Sequence, residues 1–486
     1  MPDPRSEPGA RPLAGARVLV AGLGVSGRAA AAALLSRDAL VTTLDSAAPD
    51  ADLHDEAEAD LGATDLVVAS PGWRPTAPVL AGAVRRGVPV WSEVELAWRL
   101  RVDRPEGPDG PRGPAPWLAV TGTNGKTTTV GMLAAIGAAA GLDMPEVGNV
   151  GTPVVEAVAD PRHDAFAVEL SSFQLHFTHS MAAQAAAVLN VAPDHLDWHG
   201  SIEEYARAKA RIYRGVEVAA VYDTRDPRLE PLVRAADVAE GALAVGVTLG
   251  APGPGQLGLV DDVLVDRAFH LPFDHPARLQ QAAELGTLAD LAHLAGPDGR
   301  LAPHVVGNAL AAAALARAHG VPAAAVRDGL RAYRAGAHRV ELVATTDGVA
   351  YVDDSKATNA HAAAASLAAF APGTVVWIAG GLAKGAEFDQ LVRDRADRLR
   401  AAVLIGVDPE PLAGALARHA PSIPVEVVDA TETGTVMSRA VTAARRLARP
   451  GDTVLLAPAC ASMDQFTSYA HRGEAFTAAA RAPLGS

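Results

Sequence analysis

Residues Gly122-Thr-Asn-Gly125-Lys126-Thr127-Thr128 follow the apolar run Trp117-Leu-Ala-Val120 and lead into Val130-Gly-Met-Leu-Ala-Ala-Ile136. A strand, a glycine-rich turn and a helix in that order aim backbone N–H groups and a helix N-terminus at one point, where polyphosphate charge is stabilised. Lys126 can reach terminal phosphates, and a neighbouring threonine hydroxyl can ligate Mg²⁺. The usual phosphate loop has a glycine five residues before Gly125, where this chain has Val120. A chance Gly-Lys-Thr turn is the competing reading, and the flanking strand and helix favour phosphate binding.

Other candidates stand at the ends of apolar runs. Glu169 ends Ala165-Phe-Ala-Val168, where a Mg²⁺ ligand belongs, although helix capping is an alternative for it. Val188-Leu-Asn-Val191 reads as a strand followed by Ala-Pro-Asp194-His195, which places His195 at a strand end. Lys209 falls in the helical stretch Tyr205–Tyr213, and spacing alone gives no reason to prefer it to Arg207 or Arg211. Arg17-Val-Leu-Val-Ala21 followed by Gly22-Leu-Gly24-Val25-Ser26-Gly27, with Asp45 ending Val41–Leu44, matches the dinucleotide fingerprint. That loop recognises a diphosphate, so an NAD enzyme and a nucleotide-sugar enzyme satisfy it equally. Ser70-Pro-Gly72 ends another strand toward the same crevice, or forms a plain turn.

The elements that position these residues alternate between strand-like runs and Ala-rich helical stretches, the pattern of α/β layers with mainly parallel sheets. A length of 486 residues implies about three domains. A proline- and glycine-rich linker is expected over Asp103–Pro116, and a second break near Tyr333–Arg339. Strands are expected at Val349–Asp353, Thr374–Ile378, Ala402–Gly406 and Thr453–Ala457, while the stretch 243–301 mixes short strand-like pieces with turns. A net charge of −14 argues against general affinity for nucleic acid or acidic membranes. The single cysteine, Cys460, rules out an intrachain disulfide framework and fits a reducing cytoplasm. Met1–Gly9 lacks an apolar signal core, and no run is long enough to span a bilayer.

Together, Gly122–Thr128, Glu169-Leu-Ser-Ser-Phe-Gln-Leu175, Asn190-Val-Ala-Pro-Asp-His-Leu-Asp197 and the Lys209 helix resemble the Mur ligases, ATP-dependent amino-acid-adding enzymes of peptidoglycan precursor synthesis. Asp354-Ser-Lys356-Ala-Thr358-Asn359, Gly380-Gly-Leu-Ala-Lys384-Gly and Pro458–Phe466 are similar to the members that add D-glutamate. The resemblance implies three domains: a Rossmann-like N-terminal domain over 1–115 that binds a UDP-substrate, a P-loop-type ATPase domain over 116–336 with a mainly parallel sheet, and a Rossmann-like amino-acid-binding domain over 337–486. It implies ATP and two Mg²⁺ ions as cofactors, and UDP-N-acetylmuramoyl-L-alanine and D-glutamate as partners. A cytoplasmic monomer with no nucleic-acid or membrane partner is expected.

Residue by residue, the resemblance assigns Gly122, Thr123, Asn124, Gly125, Lys126, Thr127, Thr128, Asn308, Arg339 and Asp354 to ATP. Thr127, Glu169, His195 and Lys209 go to metal, with Lys209 matching a lysine that is carbamylated in the family. Lys126, His195 and Lys209 form the catalytic set. Gly24, Val25, Ser26, Asp45, Ser46, Ser70, Asn149 and Ser171 are expected to contact the uridine substrate. Lys356, Thr358, Lys384, Ser462, Met463 and Tyr469 are expected to surround D-glutamate. No basic residue follows Asp45 in Ser46-Ala-Ala48, where some members have one near uracil, and Tyr469 replaces a phenylalanine found in others. The rival readings are a different Mur-type or folylpolyglutamate-type amide ligase, an NAD-dependent oxidoreductase, and a nucleotide-binding module without turnover.

Overall fold

The computed structural model describes residues 13–107, 110–296, 299–336, 338–430 and 433–483, so the N-terminal tail Met1–Gly9 lies outside the described residues. The architecture is mixed α/β with mainly parallel sheets, as expected. The backbone divides into two compact units. One comprises residues up to 191, 203–287 and 307–333, and the other 192–202, 288–306 and 334 onward.

The first unit carries two sheets. β1 (Arg17–Ala21), β2 (Leu40–Leu44), β3 (Leu66–Ala69) and β4 (Val90–Ser92) form a parallel sheet in the order β2-β1-β3-β4. Buried β-branched and aliphatic residues on β1 and β3 explain why these runs form central strands. A larger sheet contains β7 (Trp117–Thr121), β8 (Glu146–Gly148), β9 (Phe166–Glu169), β10 (Ala185–Val188), β11 (Ala219–Asp223) and β12 (Leu243–Val247). It continues through β13 (Gln256–Val260), β14 (Val263–Asp266) and β15 (Ala283–Thr287), in the order β15-β14-β13-β12-β11-β10-β7-β9-β8. The β13–β14 and β14–β15 pairings are antiparallel, and these short strands resolve the mixed stretch that the sequence left unordered.

Three boundaries differ from expectation. The proposed linker contains a two-stranded antiparallel ribbon, β5 (Asp103–Gly107) and β6 (Gly110–Pro114), while 108 and 109 lie outside the described residues. Proline is tolerated in such a ribbon because both strands are edges. Arg104 ties the ribbon to the sheet lobe by donating to the carbonyl of Asp164 at 3.0 Å. The strand expected over Val188–Val191 ends at Val188, because Asn190 turns its polar groups to the loop after β7. The Ala-rich run Asn308–Leu315 reads as the start of a helix, and that helix spans Pro303–Ala318.

The second unit carries β16 (Glu341–Thr346), β17 (Val349–Asp353), β18 (Val375–Gly380), β19 (Leu399–Ile405), β20 (Val425–Val427) and β21 (Thr453–Leu456). Their order is β16-β17-β21-β18-β19-β20, parallel except for the β16–β17 edge. Apolar cores cover both faces, one built around Trp377 and Leu404 and the other around Ile378 and Val441. The four strands expected here are all present within a few residues of their predicted bounds. Among the described residues no helix is long and apolar enough to cross a membrane.

Candidate functional site

The helix Lys126–Ala139 starts at Gly125, which takes φ +84° and offers no capping side chain. A helix that opens without a side-chain cap is the kind of N-terminus at which an anion is stabilised. Any other residue at 125 would be strained at this φ, and its Cβ would stand 2.4 Å from Oδ1 of Asn308, which would have to move. Asn308 is thus packed on this loop. Lys126 folds back and donates from Nζ to the carbonyls of Gly122 (2.8 Å) and Thr123 (2.9 Å). Lys209, 1% exposed, donates to the same Gly122 carbonyl at 2.9 Å and lies over the Tyr205 ring. Two cations thus converge on one loop carbonyl.

The acid beside this loop is Glu169, at the end of β9. Its Oε1 accepts from Asn149 Nδ2 at 2.8 Å, while its Oε2 is buried without a hydrogen-bond partner among the described residues. A buried carboxylate oxygen left unpartnered is costly, and a cation would satisfy it. Ser171 uses its hydroxyl to cap the short helix Ser172–His176, in a capping box with Gln174. Gln174 in turn donates to Glu93, a buried acid on the helix Glu93–Leu100.

At the β1 end, Gly22 takes φ +91°, and a Cβ on it would meet the Trp73 indole nitrogen at 2.8 Å. Asp45 closes this turn by accepting from the backbone N–H of Leu23 (2.7 Å), Ala47 (2.8 Å) and Ala48 (3.1 Å). These bonds, Leu23's foremost, hold its carboxyl below the usual range. Ser70 donates to the Gly22 carbonyl at 2.8 Å. A cavity of about 810 Å³ results, whose lining includes Gly24, Val25, Ser26, Asp45, Ser70 and Arg74. Ser46 lies outside that lining, exposed just beyond Asp45.

In the second unit, three loops leave the carboxyl ends of the adjacent strands β17, β21 and β18, the usual ligand edge of a parallel sheet. Arg472, fully buried on the helix Tyr469–Arg481, stitches two of them. It donates to Ser355 Oγ (3.0 Å), the Ser355 carbonyl (3.0 Å) and the Cys460 carbonyl (3.1 Å). Burial lowers its guanidinium to about 10. The third loop joins through Leu382 and Ala461, whose backbones exchange bonds at 2.9 and 3.1 Å. Lys356 lies over the Tyr469 ring at 3.9 Å, and Ser462 is buried. Lys384 is exposed at φ +51°, and Met463 is also exposed. Asp354 is pushed up to about 7 by burial, with Ser366 Oγ donating to it and Arg339 exerting a weaker opposing pull. His195 takes φ +53° and sits 3.7 Å from Asp194, which accepts from Asn359 at 3.1 Å.

Two family models match the chain, the Mur ligase middle domain over residues 120–251 and the Mur ligase, glutamate ligase domain over 338–460. The UDP-N-acetylmuramoylalanine--D-glutamate ligase of Streptomyces coelicolor is 56% identical, over 96% of this chain and 98% of that protein. That of Thermobifida fusca is 52% identical over 97% and 100%.

The chain belongs to the Mur ligase family.

Solved structures share the fold at low identity. The Thermotoga maritima UDP-N-acetylmuramate-alanine ligase superposes with a TM-score of 0.55 at 16% identity, over 95% of this chain and 98% of that one. Mycobacterium tuberculosis folylpolyglutamate synthase complexed with ADP and AMPPCP gives 0.53 at 17%, over 76% and 92%. Within this Mur ligase fold, Lys126, Lys209, Glu169, Asn149 and Asn308 are gathered around the phosphate loop, and Asp354, Lys356, Ser462 and Tyr469 around the loops of the second unit. Thr127 and Thr128 open the helix after the loop, and Thr358 sits in the first of the second unit's three loops. Among the described residues no group of three or more His, Cys, Asp or Glu side chains could by itself hold a metal ion.

Sequence reasoning missed several residues as site builders. Asn190 binds the phosphate loop three times: its Oδ1 accepts from Asn124 N (2.9 Å), its Nδ2 donates to Asn124 O (3.1 Å), and its carbonyl accepts from Thr123 N (3.0 Å). Arg472, Trp73 and Arg74 were missed too. Asn190 stood in a quoted motif, so its type and place gave a signal. The others act across long stretches of chain, and nothing local marks them.

Proposed function

We propose that this chain is an ATP-dependent acid–D-amino-acid ligase that joins D-glutamate to UDP-N-acetylmuramoyl-L-alanine, releasing ADP and phosphate, in cytoplasmic peptidoglycan precursor synthesis. The reading rests above all on the 56% identity, end to end, with a relative bearing that name. We assign the UDP-substrate to residues 1–115, ATP mainly to 116–336 and D-glutamate to 337–486, in a protein that acts as a monomer. Carboxylate and amine do not condense in water unless an oxygen first becomes a leaving group. The L-alanyl carboxylate oxygen attacks the γ-phosphorus of ATP and ADP departs. The D-glutamate nitrogen then attacks the acyl carbon, phosphate leaves, and the nitrogen gives up its proton.

Carboxylate and triphosphate repel, so the chain must supply positive charge where they meet. Lys126 and the open N-terminus of its helix do this, with Gly122, Thr123, Asn124, Gly125, Thr127 and Thr128 cradling phosphate. Asn308, Arg339 and Asp354 hold the rest of ATP. Mg²⁺, when bound, neutralises phosphate oxygens and fixes their geometry. Glu169 fits it through its unpartnered oxygen, we assign Thr127 to the same ion, and few protein ligands suit an ion that keeps waters and phosphates. We assign His195 to a second ion. Lys209 fits only after carbamylation, because as an ammonium it repels a metal. In the uridine cavity Gly24, Val25, Ser26, Asp45 and Ser70 hold the diphosphate side, with Ser46, Asn149 and Ser171 assigned to the remainder of that substrate. Lys356 and Lys384 face the two carboxylates of D-glutamate, with Thr358, Ser462, Met463 and Tyr469 completing its site.

The test is phosphate release by the purified chain with ATP and Mg²⁺. Release is expected only when both UDP-N-acetylmuramoyl-L-alanine and D-glutamate are present. Equal release with L-glutamate, or with neither substrate, refutes the assignment.

A further inference from the structure

A second concave surface, unused by the chemistry above, lies within the first unit. It encloses about 860 Å³, the size of a small-molecule site. Its walls are residues 84–90 between the helix Pro78–Arg85 and β4, residues 176–179, the helix Ile202–Ala210 with the turn after it, and residues 232–237. Val88, Phe177 and Leu232 make part of the lining apolar. His176, His179, Arg207, Arg211 and Arg214 also line it, against one acid, Asp237.

The charges there are incompletely balanced. Arg207 pairs with Glu204 at 2.8 Å. Arg211 and Arg214 instead donate to neutral carbonyls, those of His176 and His179 (the latter at 3.2 Å). Among the described residues neither makes an ion pair with a carboxylate. Carbonyl bonds orient a guanidinium without cancelling its charge. Burial and the neighbouring Arg214 lower Arg211 against a weaker opposing pull from Glu204, and burial with Arg211 and His179 lowers His176 to about 4, so the imidazole adds no charge at neutral pH. Asp237 is exposed and offsets part of the excess. In a chain with net charge −14, two arginines fixed side by side over an apolar lining form a local exception.

We propose that this groove binds a small organic oxyanion, a phosphate or carboxylate bearing an apolar body, between Arg211 and Arg214. Planar guanidinium forks suit either headgroup, and the apolar lining takes the body. This site is separate from the phosphate loop and does not depend on the ligase reading.

Phenyl phosphate and benzoate serve as probes in calorimetric titrations of wild type, Lys126→Ala and the double variant Arg211→Gln/Arg214→Gln. At least one probe is expected to bind wild type and Lys126→Ala alike, and to bind the double variant roughly tenfold or more weakly. Which probe binds better distinguishes phosphate from carboxylate, and binding by either supports the site. Absence of binding by both at millimolar concentration overturns the proposal. So does binding lost in Lys126→Ala and kept in the double variant, which would put the probe in the phosphate loop. Circular dichroism checks that the double variant folds. If it does not, tungstate soaked into wild-type crystals decides: an anomalous peak between the two guanidinium groups supports the site, and a peak only beside Lys126, or none, refutes it.

Discussion

Glu93 illustrates what single residues contribute beyond their motif. It is buried, its Oε1 accepts from Gln174 at 2.7 Å, and its Oε2 has no hydrogen-bond partner among the described residues. Burial pushes its carboxyl up from 4.5 to about 7. The folded state therefore holds a proton that the unfolded chain releases between those values. For this group, stability is greatest below about 4.5 and declines as pH rises toward 7, by at most about 3 kcal/mol. Glu93→Gln should flatten that decline, seen as urea midpoints at pH 5 and pH 8 that lie closer together than in wild type; an unchanged gap removes Glu93 as the cause. Arg74 supports a second expectation. No basic residue follows Asp45, but Arg74 lines the same cavity from the loop after β3. Arg74→Ala should raise the KM for the uridine substrate roughly tenfold with kcat nearly unchanged, the signature of lost ground-state binding. An unaltered KM would exclude it from recognition. Lys126, Glu169 and Asp45 were legible because type and local spacing announce them. Arg74 and Arg472 were not, since their partners come from distant segments.

Elements were legible where one period or one residue type governs them. β1, β7 and β9 are apolar runs buried on both sides, and each ends at the glycine or acid that the sequence marked. The ribbon β5–β6 was read as a linker because proline and glycine are penalised in central strands, a penalty that vanishes at two free edges. Helix packing was the least visible, because it depends on what a missing side chain permits. Gly473, on the helix Tyr469–Arg481, is the clearest instance. A Cβ there would stand 2.3 Å from Nδ1 of His338 and 2.6 Å from Oδ2 of Asp353, which themselves pair at 2.6 Å. Gly473→Ala should therefore gain helix propensity and still destabilise, by about 1–3 kcal/mol, because overpacking against this hydrogen-bonded His338–Asp353 pair outweighs about 1 kcal/mol of propensity. Urea unfolding measures it, and a stabilised variant would contradict the packing described.

The whole molecule consists of two compact units, the first with two main sheets and the second with one, each unit with apolar core of its own, and that organisation has a consequence for how it unfolds. Cys460, the chain's one thiol, belongs to the second unit. It is 3% exposed, and burial pushes its pKa up to about 12, so it stays inert to thiol reagents until that unit opens. Four of the six tryptophans, Trp73, Trp91, Trp98 and Trp117, belong to the first unit, so intrinsic fluorescence reports mainly on it. Two cores of separate residues need not melt together, and two-state behaviour is not expected of a chain this long. Pulsed thiol labelling and fluorescence followed along one urea gradient should therefore give midpoints that do not coincide. Adding ADP should shift the fluorescence transition upward more than the labelling transition, since the phosphate loop lies in the first unit and binding stabilises what it touches. Superimposed curves that move together with ADP would mean that one cooperative structure spans all three sheets, and that the division into units has no energetic counterpart.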